Sequence, residues 1–511
     1  MIESTIRSVE LKPLHSEATN YKANRLTEKS KIDNFVDNDR KTVVVQGLGY
    51  VGTAMLAALS QAKNKNNECT YNVIGIDLGD EDNYWKITQT NQGKSPIVSS
   101  DKNINEAFER GLINGNLFAT CSNYAYEKAD VVVIDVNLDI TKKKLGDAYN
   151  YEFSYTNFNR AIETIAKNVL EETLIVVEST VPPGTTEQVI FPIFQKYFAM
   201  RGLNINKLYL AHCFERVMPG NEYLNSITNL CRVYSAINAE SKKKAKNFLQ
   251  TFINTENYPL YELHSTTASE MAKVLENSFR ATNIAFIQEW TEFAEQADVD
   301  LFEIINAIRV RPTHKNIAQP GFGVGGYCLP KDSLLADWSY NNLFGAKRHL
   351  RMSLNAIRTN DLMPKHVFEI VKSYFNNLEN LNITILGISY LSDVADTRYS
   401  PADYFYDLCK KEGANIILHD SMVKYWQEKR IAINSDINSL KDFSHDVVIF
   451  AVTHTQYLEL TSEEIISLLP NVKLIIDANN LINDEKANDL IARGIKVVGV
   501  GKGHWNKKDK R

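Results

Sequence analysis

Among the side chains of this sequence, Cys328 offers the most direct chemistry. It stands in GFGVGGYCLPKD (321–332), where four glycines fill six positions ahead of Tyr327, Cys328, Pro330, Lys331 and Asp332. A thiolate beside a cationic lysine can add to an aldehyde. With a hydride acceptor at hand, the thiohemiacetal so formed can be oxidised to a thioester. A cysteine in a glycine-rich loop is equally compatible with a structural role, so the rest of the chain has to decide. Gly321, Gly323 and Gly326 satisfy G-x-G-x-x-G, yet THKNIAQP precedes them where a strand is needed, and Pro330 follows. The phosphate-loop pattern G-x-x-x-x-G-K-[ST] is also absent. These glycines are therefore expected to let a backbone loop lie close against a ligand, with Cys328 projecting into the same space.

A second glycine motif has the context that the first lacks. Gly47-Leu48-Gly49-Tyr50-Val51-Gly52 lies between the β-branched run KTVVVQ and an amphipathic segment beginning near Ala54. In such a turn the first glycine permits the bend and the second admits a pyrophosphate to the backbone. The third lets helix and strand pack closely, and the helix N-terminus favours the negative charge. Asp77 ends the next apolar run, 25 positions after Gly52, with the polar insertion KNKNNECT accounting for the length. A carboxylate there accepts hydrogen bonds from a ribose and repels a 2′-phosphate, so NAD is expected as the cofactor in preference to NADP.

The elements that must position these residues follow from the wider pattern. The 511 residues have a formal charge of −5, which argues against a nucleic-acid partner. The six cysteines are dispersed without a C-x-x-C pair, as suits reduced thiols. Histidines do not cluster with acids or cysteines at ligand spacings, so no metal is expected. No signal peptide or membrane span is apparent, and a cytoplasmic location without a membrane partner is expected. Residues 1–40 lack sustained periodicity and read as a polar tail. Apolar runs at 41–46, 71–77, 129–136, 173–180 and 207–213 alternate with helical segments. Residues 265–307 and the segment from Ser333 to Phe375 read as helices, and short apolar strands then return to the end. The fold class is α/β: two doubly wound, Rossmann-like domains joined by a helical middle. Boundaries are expected at 41–258, 259–362 and 363–511.

With these motifs together, the chain resembles the UDP-glucose/GDP-mannose dehydrogenase family of nucleotide-sugar 6-dehydrogenases. GFGVGGYCLPKD is similar throughout to the family's nucleophile motif. GLGYVG, ESTVPPGTTE, FERVMPG, EMAKVLENSFRA, NAIRTNDLMPKHV and ADTRYSPA stand in the family's order over about residues 41–505. The resemblance implies a four-electron, NAD-dependent oxidation of a sugar CH2OH to a carboxylate, with Cys328 as the nucleophile of the second step. It implies that Lys273 and Asn277 stabilise an alkoxide or oxyanion, and their i, i+4 spacing puts both on one helix face. Asp332 would orient water or assist proton transfer, Glu215 would take part in thioester hydrolysis, and Thr180 would stand near that water. Tyr50, Val51, Val136, Asn137, Lys331 and Arg398 are expected beside the cofactor with the glycine motif. Arg216, Phe322, Gly323 and Gly325 are expected at the substrate. An arginine ahead of the glycine loop is expected to reach substrate across a subunit boundary, Arg309 and Arg311 both being candidates. The helical middle implies a homodimer or higher homo-oligomer.

Each residue also has a plainer use. Lys273 could be a solvated helix residue, Asn277 could bond within its helix, Glu215 could pair with Arg216, and Asp332 could cap the following helix. The chain departs from the family pattern in places. LDIT follows VVVIDVN, Phe214 stands where proline is common, and Leu391 stands where many members carry a lysine that meets nucleotide phosphates. ERVMPG leans the reading towards UDP-N-acetylhexosamines, with UDP-glucose and GDP-mannose as alternatives. The product would feed surface-polysaccharide synthesis. Two other functions compete: a one-step hydroxyacid-type dehydrogenase, which needs neither Cys328 nor a second α/β domain, and an inactive nucleotide-sugar binder, which would be expected to have lost a member of the Cys328, Lys273, Asn277 and Asp332 set.

Overall fold

A computed structural model describes residues 25–218 and 220–509. Contacts divide the chain into two units. One holds the residues up to Leu138 with Tyr155–Met271, and the other holds Asp139–Ser154 with residues from Ala272 onward. The segment 139–154 thus belongs with residues far along the chain, and the helical middle shares a unit with the C-terminal α/β region.

The first unit is built on strands β1 (Lys41–Gln46), β2 (Tyr71–Ile76), β3 (Leu117–Thr120) and β4 (Val131–Ile134), with β7 (Leu174–Val177), β8 (Tyr209–His212), β9 (Arg232–Ala236) and β10 (Leu260–Glu262). The sheet order is β10-β9-β8-β7-β4-β1-β2-β3. From β3 to β8 neighbouring strands are parallel, and β9 turns antiparallel to β8. Continuous Val/Ile runs suit strands covered on both faces, and all four residues of β4 and of β7 are buried. The order reverses between β1 and β4, where a doubly wound sheet opens a crevice at its carboxyl edge. Strands β3, β9 and β10 are additions to the expected set.

Residues 1–24 lie outside the described residues, but the tail reading of 1–40 needs correction. Arg25–Val36 is a helix. It has no apolar stripe to betray it and is held by polar contacts: Glu28 accepts from Thr120 Oγ1 at 2.6 Å, and Asp33 pairs with Lys128 at 2.7 Å. Phe35 stacks on Phe118 with ring centroids 5.5 Å apart.

The second unit combines helices Leu301–Arg309, Asp332–Asn342 and Arg351–Tyr374 with the greater part of the helix Thr266–Gln296. Its sheet consists of β11 (Asn382–Leu386), β12 (Asn415–His419), β15 (Val447–Phe450), β16 (Leu474–Asp477) and β17 (Lys496–Gly499), ordered β12-β11-β15-β16-β17 and parallel throughout. The two-residue pairs β13 (Tyr425–Trp426) and β14 (Ile431–Ala432) form a separate ribbon. The topological reversal falls between β11 and β15. A further hairpin, β5 (Ile140–Lys142) with β6 (Tyr151–Phe153), lies on the helices of this unit. Among the described residues no helix is long and apolar enough to cross a membrane.

Candidate active site

In the first unit the three motif glycines take three different roles. Gly47 has φ +100°, and a Cβ there would lie 2.4 Å from the carbonyl oxygen of Asp135. A Cβ on Gly52 would lie 1.8 Å from the Gly47 oxygen, whereas one on Gly49 would meet nothing within 4 Å. The middle glycine therefore faces open space at the N-cap of the helix Tyr50–Gln61, as a pyrophosphate requires. Asp77 follows β2 and accepts from the Leu48 and Leu78 amides at 2.9 and 2.7 Å, with Lys86 Nζ at 3.2 Å. Tyr50 and Val51 begin the helix, and Val136 and Asn137 follow β4 at the reversal point. These residues fit a dinucleotide.

Thr180 and Glu215 each stand three positions beyond the ends of the adjacent strands β7 and β8. Glu215 is buried and accepts from the Val217 amide, and Arg216 lies over the Phe214 ring at 5.1 Å. Behind them is a buried ionic group that sequence reasoning missed. Arg232 Nη1 meets Glu178 Oε1 at 3.3 Å and the Phe214 carbonyl at 3.1 Å, both side chains being fully buried. Burial, reinforced by neighbouring acids, lifts the carboxyls of Asp135 and Glu178 well above the ordinary carboxylate range, with Arg232 opposing. Only the placing of three acids around one arginine by separate strand ends reveals this group, since the acids are far apart in sequence.

In the second unit the fold assembles the surroundings of Cys328. The Cys328 carbonyl accepts from the Lys331 and Asp332 amides at 3.1 and 3.0 Å, closing a tight turn into the helix that Asp332 begins. A negative charge formed at this point of the chain lies beside the positive end of that helix. Asn277 Nδ2 donates to Asp332 Oδ2 at 2.6 Å, and Lys331 Nζ stands 3.3 Å from Asp332 Oδ1, all three buried. Lys273, one helical turn before Asn277, is buried too. Asp332 is not the N-cap; Lys331 holds that position, and the carboxylate turns to Asn277 instead. Lys273 is thus no solvated helix residue, and Asn277 bonds beyond its own helix.

The glycine run packs closely on a neighbouring segment of the same unit. A Cβ on Gly323 would lie 2.7 Å from Pro401, one on Gly325 2.5 Å from Tyr390 Cβ, and one on Gly326, at φ +80°, 2.7 Å from the Tyr390 ring. Gly323, Gly325 and Gly326 let the loop lie against the segment 390–401, and Gly323 also borders the cavity beside it. Beside it is a cavity of about 210 Å³ lined by chain following β11, β15 and β16, at the reversal point where nucleotides bind such sheets. Its polar lining includes hydroxyls from Ser389, Ser392, Ser400 and Thr453, with no lysine or arginine among the lining residues.

Comparison with known proteins bears on both ends of this arrangement. The NAD-binding domain model of the UDP-glucose/GDP-mannose dehydrogenase family matches residues 41–253, its central domain 267–361, and its UDP-binding domain 384–484. The chain belongs to this family. It is an NAD-dependent nucleotide-sugar dehydrogenase. A UDP-N-acetyl-D-mannosamine dehydrogenase of Methanococcus aeolicus is 29% identical over 478 residues, covering 92% of this chain and 98% of the relative. A solved UDP-D-ManNAc dehydrogenase from Pyrococcus horikoshii is 26% identical with a TM-score of 0.74, covering 91% of this chain and all of that one. A UDP-glucose dehydrogenase from Pyrobaculum islandicum shares the fold equally, with a TM-score of 0.74 at 21% identity over 91% of this chain and 99% of its own.

Within this family frame, several expected residues fall outside the clusters. Phe322 is 2% exposed and packs edge-on to Phe405 in the core, and it also borders the cavity beside the loop. Arg398 is held by Asp396 at 2.7 Å and stands over Tyr327. Arg309 is engaged by the Ile317 carbonyl at 2.7 Å, while Arg311 is exposed on the loop beyond. Leu391, which stands where many family members carry a lysine, lines the cavity beside the glycine loop. The sequence shows no histidine at a ligand spacing from acids, yet in the fold His504 lies 2.8 Å from Asp484 and 3.9 Å from Asp300. Only folding brings those three residues together.

Proposed function

We propose that this dehydrogenase oxidises the C6 hydroxymethyl of a UDP-N-acetylhexosamine to the carboxylate, through a thiohemiacetal and a thioester on Cys328. The observation that carries the reading is the buried Asn277–Asp332–Lys331 cluster folded around the Cys328 turn. The names of the relatives support UDP-N-acetylmannosamine as the sugar, in agreement with ERVMPG. NAD, when bound, accepts two electrons and a proton as hydride in each oxidation.

The chain's own residues account for the rest. As the C6 alcohol gives up its proton to water, Lys273 and the Asn277 amide hold the developing alkoxide, and their burial strengthens that attraction. The Cys328 sulfur then forms a bond to the aldehyde carbon, and the carbonyl oxygen becomes an oxyanion held by the same pair. After the second oxidation the carbon is a thioester. Water that passes its proton to Asp332 attacks it, the C–S bond breaks, and the carboxylate leaves with the thiol restored. The product is suited to polymer synthesis as an acidic sugar donor.

The working form is a homodimer. Leu275, Phe279, Phe286, Trp290 and Phe293 recur at helical spacing along the helix Thr266–Gln296 and are 47–64% exposed. An apolar stripe of that length on a soluble chain is suited to covering by a second copy. The reaction is tested by NADH yield with limiting UDP-N-acetylmannosamine, other UDP-N-acetylhexosamines, UDP-glucose and GDP-mannose in excess NAD. Two NADH per sugar are expected from a UDP-N-acetylhexosamine. One NADH per sugar would sink the cysteine mechanism, and exclusive turnover of UDP-glucose or GDP-mannose would sink the sugar assignment.

A further inference from the structure

The hairpin 139–154 begins within LDIT (138–141), the stretch that departs from the family pattern, and the reaction as proposed gives it no task. Its placing in the second unit does. Lys142 is buried in an ion pair with Asp361 at 2.6 Å, and Asp361 also accepts from the Gly146 amide at 3.2 Å. Ile140 and Ala148 enter a small core with Ala281, Leu334 and Leu354. Tyr151 donates to Asp337 at 2.9 Å, and Phe153 packs on Trp338 with centroids 4.6 Å apart. Asp337 and Trp338 lie on the helix that Asp332 begins. The hairpin therefore grips the element that follows Cys328.

It also grips the residue that precedes it. Tyr327 Oη donates to Asp139 Oδ1 at 2.6 Å. The Tyr327 ring stands beneath two cations, with Lys331 Nζ 4.3 Å and Arg398 Cζ 5.1 Å from its centroid. The Gly326 amide donates to the Arg398 carbonyl at 2.9 Å. A short bond to a carboxylate is of the stronger, charge-assisted kind. Glycines at 321, 323, 325 and 326 leave the loop little stiffness of its own, so its position comes from the segment it packs on together with what holds its end.

We propose that the hairpin 139–154 is a clamp that sets the position of the nucleophile, with Asp139 and Tyr327 as positioning residues acting through the chain on either side of Cys328. The hydroxyl–carboxylate bond fixes the ring, the ring fixes the peptide that bears the cysteine, and the anchored helix fixes the turn behind it. The clamp rests on the proposed role of Cys328, and its effect falls on the rate of the chemical steps rather than on sugar affinity.

The test compares Tyr327→Phe, Asp139→Ala, Asp139→Asn and the Tyr327→Phe/Asp139→Ala double variant, each checked for an unchanged melting temperature. Tyr327→Phe and Asp139→Ala are each expected to lower kcat about tenfold with KM for the UDP-sugar within about twofold, as loss of positioning does. The double variant should fall no further than either single one, because both remove the same bond. Asp139→Asn should recover most of the rate, its carboxamide oxygen accepting from the same hydroxyl. A Tyr327→Phe enzyme with wild-type kcat, or losses that multiply in the double variant, would overturn the clamp. Two controls separate its failure from that of the mechanism. Cys328→Ser that still forms acid refutes the nucleophile but leaves the clamp readable as the rate of Cys328 alkylation by iodoacetamide. That rate should change more than threefold in Tyr327→Phe; an unchanged rate refutes the clamp.

Discussion

Replacing Gly325 by alanine separates two explanations of the glycine run. The new Cβ would stand 2.5 Å from Tyr390 Cβ, 2.9 Å from the Tyr399 carbonyl oxygen and 3.1 Å from Pro401 Cδ. None of these is the free end of a flexible side chain. Ordinary contact begins at 3.4 Å, so the loop or the 390–401 segment must give way by about 0.9 Å. Overpacking of this size costs about 1–3 kcal/mol. In a unit of this length each kcal/mol lowers the melting temperature by roughly 2–4 °C, so the expected drop is about 2–12 °C. A nucleophile displaced by nearly an ångström should lose about 10- to 100-fold in kcat, with sugar KM changed less than about threefold. Gly49→Ala serves as the contrast. Its Cβ meets nothing, so stability should hold while KM for NAD rises at least about tenfold. The pair is read by scanning fluorimetry and initial rates of NADH formation. Should Gly325→Ala leave the melting temperature and kcat intact and raise only the sugar KM, the glycine clears room for substrate and the packing argument is wrong.

Three further outcomes follow from the same geometry. Cys328→Ser should abolish acid formation while UDP-sugar binding, followed by calorimetry, stays within about threefold, since the sulfur acts after binding. Glu178 is held above its ordinary value of 4.5 by burial, so the folded state binds a proton that the unfolded chain has released. Stability should accordingly fall as pH rises from about 4.5 towards neutrality, on the order of 1 kcal/mol per pH unit for such a group, and Glu178→Gln should flatten that slope in urea titrations. Phe286→Glu with Trp290→Glu should turn the proposed dimer into a monomer by light scattering, because two buried charges would be set into an apolar interface. A dimer unaffected by the pair would place the interface elsewhere.

The sequence reached far where local rules govern. GLGYVG between two apolar runs, with Asp77 closing the second, named the cofactor edge. The fold gives Gly47, Gly49 and Gly52 the distinct duties that a tight turn, an open approach and close packing demand. The i, i+4 pair Lys273 and Asn277 falls on one buried stretch of helix, as the spacing requires. The strands that escaped notice are short or open with polar residues, as with Arg232 at the head of β9 and Asn254–Tyr258 just before β10. The helix Arg25–Val36 escaped because polar contacts hold it where an apolar stripe would have shown it.

Sequence alone determined what can be read within a few turns of chain: the alternation that makes two largely parallel sheets, the cofactor turn, and the order of motifs around Cys328. Tertiary structure decided whatever depends on residues distant in sequence meeting at one place. It put Asp139 on Tyr327 and Lys142 on Asp361, drew Asp135 and Glu178 to Arg232, and set Tyr390 against the glycines. Periodicity and spacing record the neighbours a residue has along its own helix or strand. They carry no trace of the partners that packing brings from hundreds of positions away, and those partners decide what surrounds Cys328 and the charge of the buried acids.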